Sequence, residues 1–365
     1  MSPVTAFSSD YVQARERFRQ AAGAAGATLQ VHAMPAQRAP GGEPLSMDVA
    51  RIGAPGAGRV LIVSSGTHGV EGFCGSGVQV ALLRDAPLLA DLAAHGVALV
   101  LVHAVNPYGF AHLHRTNEDN IDLNRNAVDF GRARPPSADY AELHPDLVPP
   151  VWPSPDADQR IADFVQRRGM DAFRVAVTTG QYTHPDGLFY GGAATSWSVQ
   201  RLCEVLDTHA SQAAQVGWID VHTGLGPCGH GEKIHAISGD ASGLQRARRW
   251  WGADVTDTGE GSSTSVDVSG PCTTLAPPRC RGAVTAIALE VGTQPMESVL
   301  LALRADAWRR AHPDAPAATR ESIARQLRDA FFVDRDDWKA MVLGQSRVAV
   351  LQALRGLCTE PGRPA

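Results

Sequence analysis

No two cysteines in this sequence are spaced Cys-x-x-Cys, and the six that occur (Cys74, Cys203, Cys228, Cys272, Cys280, Cys358) are scattered. That excludes a zinc ribbon and a dense disulfide framework. Reduced thiols are expected, with Cys272–Cys280 the one pairing left open. No apolar run of about eighteen residues occurs, so no membrane-spanning helix is expected. The opening residues carry Asp10, Arg15, Glu16, Arg17 and Arg19 among alanines and lack the apolar core of a secretory signal. A cytoplasmic location is the resulting expectation. An excess of one charge is missing too: a net charge of −5 over 365 residues gives neither a nucleic-acid footprint nor attraction to acidic membranes.

With 44% hydrophobic and 19% charged residues, the chain has a globular composition. No linker rich in Gly, Ser or Pro divides it and no repeat is visible, so residues 1–365 read as a single domain. Short β-branched runs alternate with longer amphipathic stretches, which predicts an α/β fold: a mixed, largely parallel central sheet with helices on both faces. Strands are expected at Arg59–Ser64, Val97–His103, Arg174–Thr178, Gly217–Val221 and Ala283–Glu290. Helices are expected around Ser76–Leu92, Asp158–Arg168, Ser196–Gln212, Met296–His312, Ala317–Phe331 and Gly344–Leu357. Residues 129–157 hold seven prolines and read as a long irregular loop, either a lid over a site or a surface excursion. Residues 256–269 read as a loop.

Four segments carry the chemistry. The first, Ser65-Gly66-Thr67-His68-Gly69-Val70-Glu71-Gly72, follows an expected strand and precedes a helix, where ligands bind in open α/β sheets. His68 and Glu71 offer an imidazole nitrogen and a carboxylate oxygen to one zinc ion, although a turn histidine beside a solvated glutamate is the plainer reading of that pair alone. The second, Asp220-Val221-His222-Thr223-Gly224, runs a strand into His222, a third ligand or a satisfied core histidine. The third, from Asn106-Pro107-Tyr108-Gly109 to Asp122-Leu123-Asn124-Arg125-Asn126, includes Arg115, and such guanidinium forks suit carboxylate recognition and oxyanion stabilisation. In the fourth, Glu290 closes an apolar strand, where a carboxylate is costly unless paired or functional. It is a candidate general base beside a zinc-activated water.

Together, GTHGVEG, NPYGF, DLNRN, DVHTGLGP and ALEVGT resemble the zinc carboxypeptidase superfamily, which includes carboxypeptidase A-like enzymes and the succinylglutamate desuccinylase/aspartoacylase branch. The wording is most similar to a poorly characterised, mainly bacterial branch long described as a domain of unknown function. The resemblance runs from about Val60 to Thr293 and implies a carboxypeptidase-like fold. It further implies one zinc ion on His68, Glu71 and His222, with Glu290 as general base and acid. By the same resemblance Arg115 polarises the scissile carbonyl, Asn124 and Arg125 grip a substrate carboxylate, and Asp122 orients the first histidine.

The chain departs from carboxypeptidase A-like enzymes in one respect: no tyrosine lies between His222 and Glu290. A deacylase or small amidase therefore stands beside a carboxypeptidase as the expected activity, on a small-molecule or peptide substrate with a carboxylate. Tyr182 and Tyr190 could line the pocket in place of that tyrosine, with ordinary packing of both the leading expectation. His230 and His235 have no spacing that makes them ligands. The rival readings are a serine hydrolase, disfavoured by the missing Gly-x-Ser-x-Gly, and a degenerate zinc protein that binds a carboxylate ligand without turnover. The sequence does not fix the oligomeric state.

Overall fold

A computed structural model describes residues 3–134 and 136–360. Its strands are β1 (Thr28–Arg38), β2 (Pro44–Ile52), β3 (Arg59–Ser65), β4 (Val97–His103), β5 (Gln215–Gly224), β6 (Gly231–His235), β7 (Thr256–Asp257) and β8 (Ala283–Gly292). They form one eight-stranded sheet in the order β1-β2-β4-β3-β5-β8-β6-β7. The centre, β4-β3-β5-β8, is parallel; β1 and β2 pair antiparallel on one side, and β6 pairs antiparallel to β8 on the other.

Twelve α-helices surround the sheet among the described residues: α1 (Tyr11–Ala24), α2 (Gly72–Leu83), α3 (Ala86–Ala94), α4 (Pro107–His112), α5 (Ala138–Leu147) and α6 (Pro155–Arg168) come first. They are followed by α7 (Met170–Thr178), α8 (Trp197–His209), α9 (Ala241–Trp251), α10 (Met296–Ala311), α11 (Ala317–Phe331) and α12 (Asp336–Thr359). None is long and apolar enough to cross a membrane, among the described residues. All six cysteines are free, as expected.

Strand alternation sends the central residues into two cores, one on each face. Leu61, Val63, Leu99 and Leu101 pack with Phe18, Phe73 and Leu354 on one side. Val60, Ile62, Val100 and Val102 pack with Val199, Leu202 and Trp218 on the other. A third cluster gathers Val70, Tyr140, Phe173, Val177, Leu303 and Phe331 from the turn after β3 and from α5, α7, α10 and α11.

Three expectations are corrected. Arg174–Thr178 is the end of helix α7, not a strand; only Phe173 and Val177, one helical turn apart, are buried there. The expected helix Ser76–Leu92 is two helices, because Asp85 caps Leu88 N–H at 3.1 Å and Pro87 opens the second helix. Residues 129–157 are not one irregular loop: Ser137 caps α5, Pro145 sits within it, and α6 begins at Pro155. Pro135 of that stretch lies outside the described residues. None of its described residues lines the cavity described below.

His103, at the end of β4, is fully buried. Its Nε2 lies 2.9 Å from Ser76 Oγ, its ring stacks on Phe18 at 4.6 Å, and its Nδ1 has no partner among the described residues. Burial pushes its pKa from 6.5 down to about 4. The unfolded chain therefore takes up this proton first as the pH falls, and the folded state loses stability between those two values. The loss amounts to about 3 kcal/mol once both pKa values are passed. His103→Gln is expected to remove this slope. Urea unfolding at pH 7 and pH 4 checks it, and an unchanged pH dependence in the variant would refute it.

Candidate metal centre

The parallel strands end at one edge, and the candidate side chains collect there. β3 delivers the chain to Gly66, in the left-handed region at φ +64°, and a short turn leads through His68 to Glu71 at the head of α2. Gly69 has no substitute in this turn: a Cβ there would lie 2.0 Å from the Gly109 carbonyl carbon. The close approach lets Gly69 N–H donate to Arg115 O at 3.0 Å and Val70 N–H to His114 O at 3.1 Å. Arg115 is thereby fixed to the same turn as His68 and Glu71.

His68, Glu71 and His222 are buried, and their ligand atoms all lie within 4.8 Å of one another. Each imidazole turns Nδ1 to a different oxygen of the Glu71 carboxylate: His68 to Oε1 and His222 to Oε2, both at 2.8 Å. Thr223 N–H also donates to Glu71 Oε2, at 3.2 Å. Each imidazole turns Nε2 to a buried aspartate, His68 to Asp122 at 3.2 Å and His222 to Asp220 at 2.7 Å. Asp220 is held by Ser64 Oγ–H at 2.6 Å and by Thr67 Oγ1–H at 3.1 Å. Carboxylates behind ligating histidines fix ring orientation and basicity. Two imidazoles and a carboxylate fit zinc and leave a fourth position for water.

The charges within this cluster sustain one another. Burial alone would raise the Glu71 carboxyl, but His68 and His222 hold it below the usual carboxylate range. Burial would likewise raise Asp122, yet Arg115, Arg125 and His68 hold it well below its usual value. His222, which burial would neutralise, is held charged by Asp220 and Glu71.

Glu290 lies opposite His222 in the β5–β8 register. Its Oε1 accepts Leu225 N–H at 3.0 Å, and burial first, then the Glu71 charge, push its pKa up to about 7. Arg115 reaches Asp122 Oδ2 at 3.0 Å, Glu71 Oε1 at 3.2 Å and His68 Nε2 at 2.8 Å. A guanidinium has five N–H donors, so two remain for a ligand. Arg125 donates to Thr178 O at 3.1 Å and to Asn124 O at 3.2 Å. A Cβ at Gly180 would lie 2.7 Å from Arg125 Cδ, so a glycine is needed behind it. Asn124 Oδ1 is taken by Cys272 N–H at 2.9 Å, and Nδ2 lies 3.4 Å from His222 Nε2.

A cavity of about 160 Å³ joins His68, Glu71, Arg115, Asn124, Arg125, His222 and Glu290; Asp122 and Asp220 do not line it. Much of its remaining wall is apolar, from Phe173 and Val177 of α7, Val299 and Leu303 of α10, and Phe189 and Phe331, while Arg174, Thr258, Thr264 and Ser265 add polar groups. The Arg115 and Arg125 guanidinium carbons each lie 5.2 Å from the centre of the Phe189 ring.

His68, Glu71, Arg115, Asn124, Arg125, His222 and Glu290 are thus brought to one cavity, with Asp122 against His68 and Arg115. Asp220 was missed, although it shares a strand face with His222 two residues on, which alternation alone reveals. Tyr182 and Tyr190 do not line the cavity: Tyr182 donates to Arg125 O at 2.6 Å, and Tyr190 is core. His235 pairs with Asp257 at 2.8 Å, away from the ligand set.

Residues 7–345 match the model of a family described as "Protein of unknown function (DUF2817)". The chain belongs to that family. The resemblance to a branch of unknown function is thereby met. No curated protein matches this DUF2817 chain. Among solved structures, it is similar to carboxypeptidase A from Helicoverpa armigera, at 10% identity over 88% of this chain and 74% of that one, with a TM-score of 0.46. It is similar to a putative metallopeptidase from Shewanella amazonensis SB2B, at 16% identity over 82% and 91%, TM-score 0.41. A third likeness is to a succinylglutamate desuccinylase from Silicibacter sp. TM1040, at 15% identity over 83% and 65%, TM-score 0.38.

Proposed function

We propose that this protein is a zinc-dependent hydrolase of amide bonds, acting on small molecules or peptides that carry a carboxylate. The observation that carries the reading is the buried His68–Glu71–His222 set, each histidine backed by its own aspartate, with Glu290 facing the same cavity. His68, Glu71 and His222 would hold one zinc ion. When bound, that ion supplies the Lewis acidity that acidifies water and polarises a carbonyl.

The rest falls to the chain itself. Glu290 takes a proton from the attacking water as the new carbon–oxygen bond forms, and a carboxyl with a pKa near 7 is matched to that transfer. The two unspent Arg115 donors steady the negative charge that grows on the carbonyl oxygen. Glu290 then gives the proton to the amine nitrogen as the carbon–nitrogen bond breaks. Arg125 holds the substrate carboxylate with its remaining N–H groups, and Asn124 sits beside it. Phe189 and the α7 and α10 side chains keep water from the reacting group. A peptide C-terminus and an N-acyl amino acid both present the required carboxylate beside an amide.

A panel of N-acyl amino acids and short peptides tests the proposal. At least one class is expected to be hydrolysed, with activity lost on chelation and restored by zinc. Hydrolysis that survives full removal of metal, or zinc-loaded protein that binds the panel and cleaves none of it, would contradict it.

A further inference from the structure

We propose that Arg174 reads a second anionic group, so that the preferred ligand carries one carboxylate inside the cavity and another in the groove outside it. For its substrate the inference rests on the amide-hydrolase reading above; for ligand binding it stands alone.

The cavity at the candidate ligand set adjoins a second void. Arg174, Leu225, Thr264 and Met296 line both it and an open void of about 490 Å³ beside it. A ligand that reached from one to the other would pass these four residues. The outer void is bordered by Cys228, Ser263 and Gln294, and Arg174 is the one charged side chain among the described residues that line it. Among the described residues no carboxylate lines this void.

The placement of Arg174 follows from its helix. Its neighbours Phe173 and Val177 are buried in the cavity wall, so position 174 falls at the rim. The guanidinium donates one bond, Nη2–H to Thr264 O at 2.6 Å. Its acidic neighbour, Asp171, is 3.8 Å away with a side chain 98% exposed, and such a pair is weak in water. Most of the five donors therefore stay unspent. Thr264 is itself anchored, its N–H donating to Glu232 Oε1 at 3.2 Å. Arg174 is thus a cation held against a fixed rim, with a free fork of the geometry that suits a carboxylate. Were it only a strap for the 264 segment, its removal would weaken every ligand alike.

Titration calorimetry on the full-length, zinc-loaded protein separates the two roles. The probes are matched dicarboxylates and monocarboxylates of equal chain length, hexanedioate with hexanoate through decanedioate with decanoate. At the best length the dicarboxylate is expected to bind about tenfold more tightly, and Arg174→Met to bring that ratio close to one. Arg174→Lys should keep part of it. Equal affinity in the wild type, a ratio unmoved by Arg174→Met, or no binding of either probe would overturn the proposal. Matched N-acyl amino acids with carboxylate-ended or methyl-ended acyl chains then report KM and kcat. If the binding preference holds and neither series is cleaved, the amide-hydrolase reading fails while the anion subsite stands.

Discussion

Glu290→Gln is expected to lower kcat roughly 10²- to 10⁴-fold, the usual share of a general acid–base group, with zinc content unchanged. The size of the effect follows from where the carboxyl sits. Strand β8 places it opposite His222, one strand from the ligand set but outside it, so the ion loses no donor. Glutamine keeps the volume and keeps an oxygen to accept Leu225 N–H, which the glutamate accepts at 3.0 Å. Only proton transfer is removed. The native group is poised for that work because burial and the nearby Glu71 charge lift it to about 7. Steady-state kinetics beside metal analysis reads both halves, and near-normal turnover in the variant would remove Glu290 from the mechanism.

Glu71→Ala is expected to have the second large effect, on metal binding and on the stability of the metal-free protein together. Its two oxygens each meet one imidazole at 2.8 Å, and Thr223 N–H depends on Oε2. Removing the carboxylate leaves His222 buried and charged beside Asp220 alone, and orphans a buried N–H. Taking one partner from a buried ionic cluster costs about 3–5 kcal/mol. Glu71→Gln separates the consequences: it fills the same space, so the fold is retained, but it cannot replace the anionic ligand. Urea unfolding is expected to rank wild type above Glu71→Gln above Glu71→Ala, with both variants inactive. An active Glu71→Gln protein would contradict the ligand assignment.

The parts of the molecule legible in the sequence are those where burial leaves a simple pattern. β3, β4, β5 and β8 are buried on both faces and read as continuous apolar runs. The edge strand β1 was not legible, because its apolar and polar residues are mixed without a clean alternation and only Met34 is buried. Helix α7 was misread because Arg-Val-Ala-Val-Thr alternates like a strand; its helical face appears only when Phe173 is counted with Val177. The site was legible because its candidate ligands stand at strand ends beside glycines, His68 and Glu71 in the turn after β3 and His222 in the last residues of β5, where chemistry-bearing residues are conspicuous. Its apolar wall was not, since Phe173, Val177, Val299 and Leu303 come from two distant helices and look like any core residues. Phe189, placed between two arginines, became visible only with the fold.

The measurement that bears most directly on the metal centre is zinc per chain, by atomic emission, on protein equilibrated with zinc and freed of excess. About one ion is expected in the wild type and in Glu290→Gln, and a small fraction of that in Glu71→Gln and His222→Ala. A wild type that binds no zinc, or ligand variants that keep the wild-type content, would contradict the assignment of His68, Glu71 and His222.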